Sequence, residues 1–271
     1  MHTKSFFAAA ALLLAAPAGA AEPYHLLFCV PDAPGSTEAA APYLKPLFKM
    51  LESAAGWAEG SLQGLFTPSE KRCLRELKKP RASLAVLSLG LYLSLKKRFK
   101  LRPLAVAEVG GSVTTRYHVL VKQGAPSSLE SLSGARFFTN HGSDRRLLAR
   151  LILGGKLGDK VEVKRTRQPL KALRAVRAGT EQATVVDDLE LEKLKLLPLA
   201  QDLQVIHTSR PLPNPIVVAV GKRVSAASVE ALTSKILTLC RGGSGCENLP
   251  LSGFTAPDVA LLEELAREYR K

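Results

Sequence analysis

Residues 135–153 read ARFFTNHGSDRRLLARLIL and predict a strand, a tight turn and a helix. The first five residues are mostly apolar, as in a buried strand, and Gly142 allows a close turn. A helix is predicted from Ser143 to Leu153. The same strand–helix order returns at 161–178 and at 182–196, which indicates βαβ units and an α/β fold.

A similar alternation precedes this stretch. The apolar runs 25–30 and 82–88 predict buried strands, which suit a sheet covered on both faces. A helix is predicted over 37–55, interrupted or kinked by Pro42 and Pro46. Each half of the chain is therefore expected to contain a mainly parallel sheet flanked by helices.

The N-terminus has the three parts of a secretory signal peptide, predicted at residues 1–21. Lys4 supplies the positive charge, residues 6–16 are apolar, and Ala18-Gly19-Ala20 matches a cleavage pattern. A buried N-terminal helix is the alternative, which Pro17 disfavours. No cysteine follows the cleavage site, so we expect an exported, soluble protein without a lipid anchor.

The composition fits a globular chain with a basic surface. The 271 residues carry a formal net charge of +14, with 46% hydrophobic and 23% charged residues. This length is enough for one large domain or two modest ones. A basic excess suits nucleic acid, small anions or acidic membrane surfaces. Export argues against nucleic acid and leaves a small anion or an acidic membrane-side partner.

Four cysteines predict disulfide bonds in an exported chain. Cys240 and Cys246 flank a short loop of turn-forming residues and are the leading pair, which leaves Cys29 with Cys73. Four buried free thiols are the alternative. Neither a Cys-x2-Cys pair nor a close pair of histidines occurs, so we expect no zinc site and no cofactor.

Sequence motifs of several enzyme classes are absent. The chain contains no G-x-S-x-G, no Walker A loop, no H-E-x-x-H and no G-x-G-x-x-G. We therefore expect a binding protein and not an enzyme, with a secreted enzyme of another motif as the weaker alternative.

Junctions between a strand and the following helix are the candidate binding sites. A helix N-terminus presents unpaired N–H groups and the positive end of the helix dipole, so it attracts anions. Hydroxyl groups stand at three such junctions: Ser36 with Thr37, Ser88, and Ser143 after His141 and Gly142. In an α/β fold these ends converge on one cleft. Helix capping alone is the competing role for Ser143.

Six stretches follow the motif order of one known family: Tyr43–Leu51, Leu84–Tyr92, Tyr117–Val121, Ser128–Phe137, Ala175–Asp187 and Ser209–Pro213. Together they resemble the PhnD-like periplasmic solute-binding proteins of phosphate, phosphite and phosphonate ABC importers. This family has the type 2 periplasmic binding-protein fold. The turn at 141–144 departs from the family's Ser/Thr-rich anion loop, and its Asp144 would oppose a phosphonate. Ser83 and Gln182 stand where the family has aspartates.

The resemblance implies two lobes joined by a two-strand hinge. Residues 22–112 plus 207–271 would form lobe 1, residues 113–206 would form lobe 2, and a small phosphonate- or phosphate-like anion would bind between them. The implied ligand-binding residues are Ser36, Thr37, Ser88, Tyr92, Tyr117, His141, Gly142, Ser143 and Asp187. Core packing is the alternative for both tyrosines, and helix capping for Asp187.

The resemblance also implies a monomer in the periplasm that delivers its ligand to an ABC permease at the inner membrane. A sensor of the same fold, which reports to a membrane signalling protein, is the alternative. His141 is of special interest because a histidine titrates near pH 6.5, so it would hold an anion more tightly in acid.

Overall fold

The computed structural model describes residues 24–31, 36–125, 127–158, 161–241, 246 and 251–271. The predicted signal peptide, residues 1–21, lies outside the described residues. The strands are β1 (Tyr24–Cys29), β2 (Leu62–Thr67), β3 (Ala82–Leu87), β4 (Arg102–Val109), β5 (Thr114–Thr115), β6 (Tyr117–Lys122), β7 (Arg136–Thr139), β8 (Glu162–Arg165), β9 (Thr184–Asp187), β10 (Leu203–Thr208), β11 (Leu212–Pro213), β12 (Ile216–Ala219) and β13 (Leu251–Thr255).

The helices are α1 (Thr37–Ala55), α2 (Glu70–Leu77), α3 (Leu89–Leu95), α4 (Pro169–Arg177), α5 (Asp188–Lys195), α6 (Ala226–Ile236) and α7 (Val259–Arg270). Residues Glu130–Leu132 and Pro198–Asp202 form 3-10 turns, and Leu147–Ile152 forms a π-helix. Among the residues that the structure describes, no helix is both long enough and apolar enough to cross a membrane.

The first sheet has six strands in the order β13-β4-β12-β3-β1-β2. β1 is parallel to β2 and β3, whereas β12 is antiparallel to both of its neighbours, β3 and β4. β13 is also antiparallel to β4. The prediction of a mainly parallel sheet is therefore wrong in this detail. The chain leaves this sheet after β4 and returns to it as β12, which runs in the opposite direction.

The strands of the smaller sheets lie between β4 and β12 in the sequence. β6 is antiparallel to β10 on one side and to β9 on the other. β7 is parallel to β8 and bridges to Ala183, next to β9. The smaller sheets therefore also contain both antiparallel and parallel pairs, so the prediction of mainly parallel sheets is wrong for both halves of the chain. The segment by which the chain leaves the first sheet contains β5, and the segment by which it returns contains β11. These two short strands pair with each other.

The longest helix, α1, runs unbroken through Pro42 and Pro46, where the sequence predicts a kink or an interruption. Both prolines are exposed, so water can hydrate the carbonyl groups that lose a hydrogen bond. Ser36 caps the helix by accepting a hydrogen bond from the Ala39 N–H. Gly56 ends it in the left-handed conformation, with φ of 68°.

The segment after the 140–144 turn differs from its prediction. The sequence predicts a helix from Ser143 to Leu153, whereas the helical backbone begins at Arg145 and takes the π form over Leu147–Ile152. The Asp144 side chain explains the later start, because its Oδ1 accepts the Leu147 N–H at 2.9 Å. An acidic side chain before the first turn stabilises the N–H groups there.

Both predicted disulfide bonds are present and confirmed: Cys29 with Cys73, and Cys240 with Cys246. The first bond joins β1 to α2 across 44 positions of sequence and is fully buried. The second closes a loop whose residues 242–245 lie outside the described part of the chain.

Alternate residues of β1 enter two hydrophobic clusters on opposite faces of the first sheet. Leu26 and Phe28 pack in the cluster beneath α1 and α6. Leu27 and Cys29 belong to the larger cluster, which continues to Phe137 and other core residues of the smaller sheets. One apolar core therefore joins the six-stranded sheet to the smaller sheets.

Candidate functional site

The hydroxyl groups of Ser36 and Thr37 are used within the first sheet and its helices. Ser36 Oγ accepts the Ala39 N–H at 3.2 Å. Thr37 Oγ1 donates to the Phe66 carbonyl at 2.6 Å and accepts a long hydrogen bond of 3.4 Å from Arg72 Nη1. These contacts fasten α1 to the end of β2 and give both hydroxyls a structural role.

Ser88 and Tyr92 lie at the start of α3 in different surroundings. Ser88 is half-buried, and its side chain makes no capping hydrogen bond. Tyr92 is 2% exposed and belongs to the larger hydrophobic cluster. Burial raises the pKa of Tyr92 to about 12, with a smaller contribution from the charge of Glu263. The structure thus places Tyr92 in the core and leaves the Ser88 hydroxyl available.

A carboxylate of the chain itself lies against the first turn of α3. A Cβ atom added to Gly90 would lie 2.5 Å from Asp144 Oδ2. The Tyr269 hydroxyl at the end of α7 donates to the same oxygen at 2.8 Å. Asp144 therefore occupies space near a junction that was predicted to hold an anionic ligand, and it would repel a second anion there.

A charged cluster forms where β6, the 140–144 turn and the start of α5 meet. His141 Nε2 donates to Glu190 Oε2 at 2.7 Å, and Asn140 Nδ2 donates to Glu190 Oε1 at 2.8 Å. The Tyr117 ring lies edge-on to the His141 ring, with centroids 5.1 Å apart. Tyr117 is also the register partner of Asp187. The structure thus brings the predicted residues Tyr117, His141 and Asp187 together.

Asp187 is the N-cap of α5, which was its alternative role. Its Oδ1 accepts the Glu190 N–H at 2.8 Å, and Glu190 Oε2 accepts the Asp187 N–H at 3.1 Å. This reciprocal pair is a capping box. Glu190 is not among the predicted site residues, although the spacing Asp187-x-x-Glu190 at the start of a helix is typical of a capping box.

The two carboxyl groups of the capping box differ in acidity. Burial raises the pKa of Asp187, and the charge of Glu190 raises it further. Burial also opposes ionisation of Glu190. The hydrogen bond and charge of His141, together with hydrogen bonds from the Asp187 N–H and from Asn140, outweigh it and hold the pKa of Glu190 below its ordinary value. Glu190 is therefore the firmly ionised member, and Asp187 is the one more easily protonated.

Gly142 and Ser143 complete the turn beside this cluster. A Cβ atom at Gly142 would clash with Val163 Cγ1 on β8, so only glycine allows the turn to approach β8 this closely. Ser143 is half-buried next to it. The tight approach keeps His141 and Ser143 at fixed positions relative to β8.

His141, Asp187 and Glu190 also place their ligand atoms within 4.8 Å of one another, as metal ligands do. Both oxygens of Glu190 and one oxygen of Asp187 already accept hydrogen bonds, so a metal ion would have to displace them. The buried Asn140 Oδ1 has no hydrogen-bond partner within the described residues. The cluster therefore keeps an unused acceptor, and its two carboxyl groups favour a positively charged group.

A second histidine–carboxylate pair, which no sequence pattern predicts, lies next to this cluster. His118 Nε2 donates to Asp188 Oδ1 at 2.9 Å, and Thr208 Oγ1 lies 3.0 Å from the other ring nitrogen. The Arg116 N–H donates to Asp188 Oδ2 at 2.6 Å. Burial opposes ionisation of Asp188, but the Arg116 and His118 hydrogen bonds lower its pKa. The pair ties β6, α5 and β10 together.

Comparison with solved structures shows the fold. A protein of Xanthomonas citri bound to ATP is 16% identical, with a TM-score of 0.74 over 91% of this chain and 97% of its own. PhnD1 from Prochlorococcus marinus in complex with methylphosphonate is 12% identical, with a TM-score of 0.67 over 92% and 97%. A binding-protein component of a Pseudomonas aeruginosa phosphonate ABC transporter is 15% identical, with a TM-score of 0.64 over 92% and 88%.

These likenesses confirm the predicted α/β fold of type 2 periplasmic binding proteins. None of the curated proteins matches this sequence. The model of one protein family, described as ABC transporter, phosphonate, periplasmic substrate-binding protein, matches residues 33–262. This is a family of transport proteins and not of enzymes. The chain therefore belongs to the periplasmic substrate-binding proteins of phosphonate ABC transporters, as its motif order predicts.

Proposed function

We propose that this protein captures a small phosphonate- or phosphate-like anion and delivers it to an ABC importer. The family match over residues 33–262 is the observation that carries the proposal. Residues 22–112 with 207–271 would form one lobe and residues 113–206 the other, with the paired crossings β5 and β11 as the hinge.

The proposed binding site centres on the 140–144 turn. Ser143 would supply a hydroxyl group, and the backbone at Gly142 would approach the anion closely. Ser88 would supply a second hydroxyl group to a ligand whose own positive charge offsets that of Asp144. Tyr117 and His141 are already in ring contact and would line the same cleft. Ser36, Thr37 and Tyr92 would not bind the ligand directly, because their described contacts are structural.

The carboxyl groups at this site favour a ligand that also carries an amino group. Asp187 and Glu190 lie beside His141, and Asp144 is nearby on the same turn. A simple dianion would meet repulsion from these groups, whereas the amino group of an aminophosphonate would pair with them. Within the phosphonate class, we therefore propose an aminoalkyl phosphonate as the preferred ligand.

Calorimetric titration of the mature chain with phosphate, phosphite, methylphosphonate and aminomethylphosphonate tests the proposal. Ser143→Ala should weaken binding by about 1–3 kcal/mol, because a hydrogen bond to a charged ligand is lost. Ser234→Ala, an exposed serine on α6, is the matched control and should bind like the wild type. Absence of heat with all four anions would rule out the ligand class.

The proposed partner is the permease of an inner-membrane ABC importer, reached by a monomer in the periplasm after removal of residues 1–21. Ligand-dependent stimulation of ATP hydrolysis by the reconstituted importer would support this role. Ligand-dependent binding to a membrane signalling protein, without any effect on the importer, would assign the sensor role instead.

A further inference from the structure

A second pocket, of about 440 Å³, lies between the π-helix Leu147–Ile152 and the end of α7. Tyr117, His141 and Asp187 do not line this pocket. Its lining includes five cationic side chains and no acidic one. These cations are Arg145, Arg146, Arg150, Arg270 and Lys271. Three apolar residues complete much of the wall: Ala149, Val161 and Val163.

The cations come from two separate parts of the chain. Three arginines belong to the segment 145–150, and the other two cations are Arg270, the last residue of α7, and Lys271, which follows it. Tyr269 joins these two parts, because its hydroxyl donates to Asp144 at 2.8 Å and the Arg146 guanidinium lies 5.4 Å from the centre of its ring. Packing α7 against the π-helix therefore brings like charges to one pocket.

Ordinary helix electrostatics explain only part of this arrangement. Cations at the C-terminal end of a helix interact favourably with its dipole, which accounts for Arg270 on α7. The dipole of α7 does not account for the three arginines of residues 145–150 that line the same pocket. Glu264 and Glu268 on α7 pair with Arg210 and do not line this pocket. An anion between the two sets of side chains would be attracted by both of them.

We propose that this pocket is a second anion site, which takes a phosphate-bearing group and links the π-helix to α7. Guanidinium groups bind phosphate oxygens through paired hydrogen bonds, and several of them converge here. The volume lies within the usual range for small-ligand sites. The apolar wall suits the organic part of a phosphate ester or of a phospholipid headgroup, two sources that share this chemistry.

Titration of the mature chain with pyrophosphate at low salt tests the free-ligand source. Pyrophosphate should bind and raise the Tm of the wild type. The double variant R145Q/R270Q should bind at least about tenfold more weakly, because guanidinium contacts from both sides are lost. K45Q/K97Q removes the same charge from exposed positions outside the pocket and should change the affinity less than about twofold.

R145K/R270K keeps the charge and removes the paired hydrogen bonds, so it should bind with intermediate affinity; it also serves if R145Q/R270Q does not fold. Pyrophosphate that binds in the cleft instead would lose affinity in S143A and keep it in R145Q/R270Q. That result would overturn this proposal and leave the proposed function standing.

Co-sedimentation with vesicles tests the lipid source. Binding to phosphatidylglycerol vesicles that R145Q/R270Q loses, with no binding to phosphatidylcholine and none to pyrophosphate, would assign the headgroup as the ligand. If wild type binds neither pyrophosphate nor phosphatidylglycerol vesicles, or if R145Q/R270Q binds both as wild type does, the proposal is wrong.

Discussion

Two regions of this protein are stabilised by different kinds of interaction. The first region, the six-stranded sheet with its helices, contains all four cysteines in two disulfide bonds. The second region, residues 113–213, has no cysteine and is joined by buried or half-buried ionic pairs, including His118–Asp188, His141–Glu190 and Arg136–Glu181. Reducing agents should therefore act mainly on the first region, whereas the pairs of the second region should respond to pH.

The largest expected effect concerns the disulfide between β1 and α2. Removing it in C29A/C73A should lower the free energy of unfolding by about 4 kcal/mol, because the bond closes a long loop in the unfolded chain. C240A/C246A opens a much shorter loop and should cost about 2 kcal/mol. Urea unfolding measures both, and the reverse order of losses would contradict the role given to the first bond.

The next effect concerns Glu181 in the second region. Its side chain is 4% exposed and accepts hydrogen bonds of 2.6 Å from Lys164 Nζ and 2.7 Å from Arg136 Nε. Glu181→Gln should destabilise the fold by about 1.5–3 kcal/mol at pH 7, because charged hydrogen bonds are lost. Glu192→Gln, at an exposed ion pair, is the control and should change stability little.

The same variant has a pH signature. Burial opposes ionisation of Glu181, but Lys164 and Arg136 outweigh it, so the pKa of Glu181 lies below its ordinary value of 4.5. Its stabilisation is complete above that value and is lost as the pH falls through the lower pKa of the folded state. The difference between wild type and Glu181→Gln should therefore shrink in acid, and a constant difference would assign the effect to packing.

A smaller and more selective effect separates the two carboxyl groups of the capping box. Glu190→Gln should destabilise the fold by about 1–2 kcal/mol at pH 6, because its charged bond to His141 is lost. Asp187→Asn keeps the cap and removes a carboxyl whose pKa is raised by burial. The cost of ionising Asp187 appears as the pH rises through its folded-state pKa, so Asp187→Asn should be neutral or stabilising at pH 8.

Urea unfolding of both variants at pH 6 and pH 8 measures this difference. Equal losses in Glu190→Gln and Asp187→Asn at both pH values would mean that the two groups act only as caps. The conclusion that ionic pairs stabilise the second region would then be wrong for the pair His141–Glu190.

The fold was predictable from the sequence because its signals are local. The apolar run 82–87 followed by Ser88 and Gly90 predicts a strand and a helix, and β3 and α3 lie there. The spacing of Cys240 and Cys246 around turn-forming residues predicts their pairing, which the structure contains. The direction of β12 was missed, because it depends on where the chain re-enters the sheet.

The candidate site was only partly predictable, because its contacts join distant positions. His141 was selected from its strand–helix junction and Asp187 from the family resemblance, but the bond between His141 and Glu190 spans 49 positions. The hydrogen bond between Asp144 and Tyr269 spans 125 positions and leaves no pattern in the sequence. Hydroxyl groups at strand ends were expected to bind the ligand, yet in Thr37 the hydroxyl is used to hold β2.

We propose that charged groups of the second region determine which ligand binds. Ethylphosphonate and aminomethylphosphonate have nearly the same size, but the first carries a neutral methyl group where the second carries an ammonium group. The ratio of their affinities therefore measures the effect of that positive charge. Calorimetric titration of the wild type should give at least about tenfold tighter binding of aminomethylphosphonate. Glu190→Gln should bring this ratio close to one. Equal affinities in the wild type, or a ratio that Glu190→Gln leaves unchanged, would contradict the claim.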